Sequence, residues 1–129
     1  MKYLKKYGLF ESNKPNYQTL QIGDFKAYRG RDAAANEYVT FQLADENDLW
    51  FHAKGVQGSH LIIKVGDKLV TPEIIKQAAE IVAKKSDTKE KEVPVVYCQR
   101  KFVSKTQGTK LGQVNRDEVN SYEITVSIN

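Results

Sequence analysis

The chain has 129 residues, 28% charged and 40% hydrophobic, with 20 lysines and arginines against 16 aspartates and glutamates for a net charge of +4. That length suits one domain over residues 1–129; no apolar run approaches the roughly 18 residues of a membrane span, and the start MKYLKKYGLF lacks a signal peptide's apolar core, so a cytoplasmic protein off the membrane is expected. The single cysteine, Cys98, excludes an intramolecular disulfide and argues against a cysteine-based zinc site.

Residues 19–30, TLQIGDFKAYRG, read as two short strands turning at Gly23-Asp24, a dipeptide suited to a tight hairpin. The next stretch, RDAAANEYVTFQLA, supports two readings. Asp32 can cap a helix over residues 33–44, yet Val39, Phe41 and Leu43 alternate with Thr40 and Gln42 as in a strand. DLWFHAK and SHLIIKV are aromatic and β-branched, and the link from Gly55 to Gly58 suits a connection between strands. TPEIIKQAAEIVAKK carries the clearest helix signal: Thr71 as cap, Pro72 at the first position, and an apolar stripe of Ile74, Ala78, Ile81 and Val82. Glu73 at its start and Lys84 and Lys85 at its end complement the helix dipole.

KKSDTKEKEVP, residues 84–94, reads as a solvated connector whose charges cancel. VPVVYCQRKFV and SYEITVSI then read as strands, the second placing Tyr122, Ile124, Val126 and Ile128 on one face. Between them lies the basic loop SKTQGTKLGQ. The expected fold class is α+β: a mostly antiparallel sheet, two main helices and a basic strand-loop segment.

Charge is unevenly spread. From Tyr97 to Arg116 there are five bases, Arg100, Lys101, Lys105, Lys110 and Arg116, and no acid. Such a window suits a polyanion, because each phosphate neutralised releases counterions; a solvated loop without a partner has the same composition.

The densest polar stretch is DLWFHAKGVQGSHLIIK, residues 48–64. A metal site needs converging ligands. If Lys54 pairs with Ser59, His52 faces Leu61 and His60 faces Ala53, so the imidazoles diverge; a one-residue shift brings them together. A nuclease built on His52, His60 and Asp48 has only that clustering behind it. Ser59 beside His60 is a sequence neighbour, not a held nucleophile, and no phosphate-loop or dinucleotide spacing occurs. Trp50, His52 and Lys54 project from one strand face and offer stacking, hydrogen-bonding and charged groups of the kind that contact RNA. The alternative for the first two is a core tryptophan and a structural histidine.

Four blocks, GRDAAANEYVTF, DLWFHAKGVQGSHLIIK, PEIIKQAAEIVAKKS and VPVVYCQRKFVSKTQGTKLGQV, stand in the order and at separations similar to those of the NFACT-R domain. The chain resembles that family over about residues 19–116. The resemblance implies an RNA-binding role: larger NFACT proteins, some long labelled fibronectin-binding, act with tRNA and the large ribosomal subunit in ribosome-associated quality control. It also favours the helical reading of residues 32–44. The matching positions are Gly30, Arg31, Asn36, Asp48, Trp50, His52, Ala53, Lys54, Gly58, Ser59, His60, Lys101, Lys105 and Gly108. The family loop usually contains prolines, which this one lacks, and a free-standing domain without the family's tRNA-handling and coiled-coil parts is expected.

The expected function is non-enzymatic nucleic-acid binding, to tRNA or ribosomal RNA, with the ribosome or a larger quality-control protein as further partner. The residues expected to make contact are Arg31, Trp50, His52, Lys54, Ser59, His60, Arg100, Lys101, Lys105 and Lys110. No cofactor, metal or catalytic residue is expected. A module that docks on a protein partner is the main alternative, DNA binding a lesser one, and oligomeric state is left open.

Overall fold

The computed structural model describes residues 15–128. Its main sheet has six antiparallel strands: β1 (Tyr17–Ile22), β2 (Phe25–Gly30), β3 (Leu49–Ala53), β4 (Leu61–Ile63), β5 (Glu92–Gln99) and β8 (Tyr122–Ser127). They lie in the order β1-β2-β4-β3-β5-β8. Two short strands, β6 (Val103–Ser104) and β7 (Asn115–Arg116), pair separately and bracket the basic loop. The hairpin at Gly23-Asp24 forms as expected, with Ile22 opposite Phe25 and Gly23 at a φ of 58°.

Period-two alternation divides the side chains between two cores. Phe25, Ala27, Phe51, Ala53, Leu61, Ile63, Val93 and Val95 face one side of the sheet, where helix α2 (Pro72–Lys84) lies across them. Thr71 caps this helix through its side chain, Pro72 begins it, and Ala78, Ala79, Val82 and Ala83 are the residues it buries. Those small residues let the helix axis approach the sheet closely. On β8, Val126 is buried and Ile124 and Ile128 pack beside it.

Trp50, Ile62, Val96 and Cys98 face the other side and are covered by residues 33–44 and by Val103. The ambiguous stretch is helical. Asp32 accepts a hydrogen bond from the Ala35 N–H and caps α1 (Ala33–Tyr38), after which Val39–Leu43 continue as a π-turn. Val39 is buried, and Phe41 and Leu43 pack in part against the same core.

The pairing of β3 with β4 differs from the expected register by one residue. Trp50 lies opposite Ile62 and Phe51 opposite Leu61, so continuing the ladder sets His52 against His60. The reason lies outside the hairpin. The His60 N–H donates to Asn36 Oδ1, the His60 carbonyl accepts from the Gly30 N–H, and Gly58 bridges to Ser86, so α1 and the end of α2 hold the connection instead of a tight turn.

Candidate nucleic-acid interface

A groove of about 940 Å³ opens on the α1 side of the sheet, between residues 29–36, the connection 54–60 and the loop 110–116. Arg29, Arg31, Lys54, Lys85, Lys110 and Arg116 line it, against only Asp32, Asp87 and Glu118. Six cations to three acids makes its walls positive.

The structure brings Arg31, His52, Lys54, Ser59, His60 and Lys110 to this groove, with Trp50 beneath. Lys54 keeps half its side chain in solvent and pairs with Glu123 at 2.9 Å. Ser59 is buried, and its Oγ accepts from Arg29. Trp50 is 2% exposed, so it belongs to the core and offers no open stacking face.

The two imidazoles converge, contrary to the register expected from sequence: their ring centroids are 4.9 Å apart, and both rings approach Trp50. Asp48 does not join them. Its carboxylate accepts from the Asp45 and Val65 N–H groups and pairs with Lys64 at 2.7 Å, which makes it an anchor for the start of β3. Among the described residues no group of three His, Cys, Asp or Glu side chains is placed to hold a metal ion.

Burial holds His52 below its ordinary pKa, opposed by the Ser59 and Val56 carbonyls and reinforced by Arg116. Burial, then the neighbouring His52 and Lys105, lower His60 to about 3. Both rings are neutral at pH 7. The unfolded chain protonates His60 near 6.5 while the native state resists until about 3, so native stability is full above that window and falls as pH drops through it. The expected loss is about 1.4 kcal/mol per pH unit at most. Melting temperatures between pH 7 and pH 5 check it: wild type should fall more steeply than His60→Gln.

Three of the expected contact residues stand elsewhere. Arg100 donates from Nε to the Thr40 carbonyl and covers the Phe41 ring at 4.8 Å, so it fastens the π-turn. Lys101 is exposed beside Phe102, outside the groove lining. Lys105 is turned inward onto the loop. Its ammonium donates to the Lys110 and Gln113 carbonyls and pairs with Glu37 at 2.6 Å. The same Glu37 carboxylate accepts from the Gly112 N–H, and a Cβ at Gly112 would press on Ala33 at 2.9 Å. Burial opposes the charge of Glu37, but the Lys105 and Gly112 hydrogen bonds hold its carboxyl below the usual range.

One carboxylate therefore clips the basic loop to α1 and presents Lys110 to the groove. Glu37→Ala is expected to speed amide exchange through residues 105–113 while costing about 1 kcal/mol or less of stability, because the pair is partly solvated. Slow exchange retained in the variant would mean that the loop holds itself.

The contact residues expected from sequence omit three lining cations, Arg29, Lys85 and Arg116, although Arg116 closes the acid-free basic window and Arg29 belongs with Arg31 to a second basic group. For Arg29 a signal existed: it flanks Gly30 together with Arg31, and residues two apart in extended chain share a side. Lys85 sits at the end of α2, and only the tertiary fold carries it here.

An antiparallel sheet that presents a groove lined by more cations than acids has the make-up of a polyanion-binding module. The chain belongs to the NFACT protein RNA-binding domain family, whose model matches residues 14–117. It is similar to the Rqc2 homolog RqcH of Bacillus subtilis, with 34% identity over 97 residues, covering 74% of this chain and 17% of that protein. It is also similar to the Rqc2 homolog RqcH of Streptococcus suis, with 36% identity over 87 residues, covering 66% and 15%. Among solved structures it resembles the C-terminal region of the fibronectin/fibrinogen-binding protein of Streptococcus suis, with a TM-score of 0.77 and 28% identity over 90% of this chain and 46% of that one. The chain thus spans less than a fifth of the length of these RqcH relatives.

Proposed function

We propose that the chain binds RNA through the groove, in the setting of ribosome-associated quality control, with tRNA or ribosomal RNA as the ligand. The excess of cations over acids along its walls supports this most directly, and membership of an RNA-binding family agrees. Phosphates would meet Arg31, Lys110 and Arg116, while neutral imidazoles and backbone groups at the floor would leave room for sugar or base edges. Titrating tRNA and ribosomal RNA fragments over a salt series tests it. Affinity that falls log-linearly with salt is expected; none at low salt contradicts the proposal.

Docking on a protein partner has one observation in its favour: Val119 and Tyr122 are 90% and 64% exposed, Tyr122 on the outermost strand β8. Replacing both with serine should impair co-sedimentation with ribosomes under that reading. Under the RNA reading the groove cations control it.

A further inference from the structure

Arg29 differs from the other partly buried cations in its choice of partners. It is 8% exposed, on β2 between Gln18 of β1 and Leu61 of β4. Its Nε donates to Gln18 Oε1 at 2.9 Å and its Nη1 to Ser59 Oγ at 2.7 Å, both neutral acceptors. The bonds of its guanidinium among the described residues use Nε and Nη1, and the residue lines the groove. Lys64 and Lys105, each more exposed, pair with carboxylates: Asp45 and Asp48 for the first, Glu37 for the second. Among the described residues Arg29 has none. A charge of its own sign acts on it: after burial, Arg31 is the second cause that weakens its hold on its proton. Arg31 in turn donates to Asn16 Oδ1, again a neutral acceptor.

A guanidinium withdrawn from water without a counterion is costly, and a second guanidinium beside it adds repulsion. Gln18, Ser59 and Asn16 orient the pair and neutralise neither member. That arrangement suits a site completed by an incoming anion, because a planar fork matches the oxygens of a phosphate.

We propose that Arg29 and Arg31 form an oxyanion socket at the head of the groove that takes one phosphate group of the bound RNA. The choice of RNA as the source of that phosphate rests on the function proposed above; the socket itself rests on the two arginines. An internal phosphodiester and a terminal phosphate have the same chemistry here, and the test separates them.

The first arm needs no RNA. Melting temperature is followed against sodium phosphate, with sodium chloride at matched ionic strength as control. Phosphate should raise it in wild type, since a ligand bound only by the native state stabilises that state. The response should vanish in Arg29→Met, which keeps the bulk and removes the charge. Should Arg29→Met fail to fold, the exposed Arg31→Gln serves instead and should at least halve the response. No response in wild type, or an equal one in the variants, overturns the socket. So does stabilisation by a polyglutamate peptide where phosphate does nothing, which would assign the pair to an acidic protein.

In the second arm, Arg29→Met should weaken single-stranded RNA binding about tenfold and flatten its salt slope by about 0.7, the value of one phosphate. RNA binding unchanged in Arg29→Met overturns the assignment to RNA while the groove reading stands. RNA binding absent from wild type defeats the groove reading, and the phosphate melt still judges the socket. If a 5′-phosphorylated oligonucleotide outcompetes its 5′-hydroxyl twin by a margin that Arg29→Met erases, the socket takes a terminal phosphate. Equal binding of the two assigns it to the internal backbone.

Discussion

Trp50→Ala is expected to cost about 3–5 kcal/mol of folding stability, because the substitution empties the centre of the core beneath the groove. The indole is 2% exposed, lies opposite Ile62 on one side and Cys98 on the other, and meets the His60 ring edge-on at 5.1 Å. No neighbouring strand can shift to close the gap without breaking the ladders on both sides. Trp50 is the chain's only tryptophan, so unfolding is best followed by circular dichroism with denaturant. Trp50→Phe should cost less, since the indole Nε1 is buried without a hydrogen-bond partner and its removal recovers part of the lost packing. Native stability in Trp50→Ala combined with weakened RNA binding would instead make the ring a stacking platform.

Replacing Arg31, Lys110 and Arg116 together with alanine should lower RNA affinity across sequences and flatten the salt slope by about two, at roughly 0.7 per single-strand phosphate. All three line the groove, and none forms an ion pair among the described residues. Stability should hardly change, as expected for charges away from the core. Lys101→Ala should leave binding unaltered, because that side chain stands outside the lining. Lys105→Ala should weaken it indirectly, by freeing the loop from Glu37. A triple variant that binds RNA as wild type does would move the contact surface elsewhere. The other basic group visible in the sequence is Lys2, Lys5 and Lys6 with Arg29 and Arg31; its three lysines lie outside the described residues, and its two arginines line the groove.

Local signals carried much of the architecture. Thr71 and Pro72 mark the start of α2, Gly23-Asp24 marks the first hairpin, and the alternation in SYEITVSI marks β8, because caps, turns and period-two burial are written in neighbouring residues. Residues 33–44 defeated periodicity because a π-turn is neither of the repeats tested, and only the family resemblance favoured a helix. The site was harder still. The facing of His52 and His60 depends on a register set by Asn36 and Ser86, both distant in sequence. A count of charges likewise could not separate Lys110, which lines the groove, from Lys105, which a carboxylate 68 positions earlier turns inward.

The claim that RNA lies in the groove is tested most directly by titrating a single-stranded RNA into isotopically labelled protein and following the backbone amides. The account predicts shifts concentrated in residues 29–36, 54–60 and 110–116, reduced by rising salt. Shifts concentrated instead around Val119, Tyr122 and strand β8, with the groove amides unmoved, would contradict it.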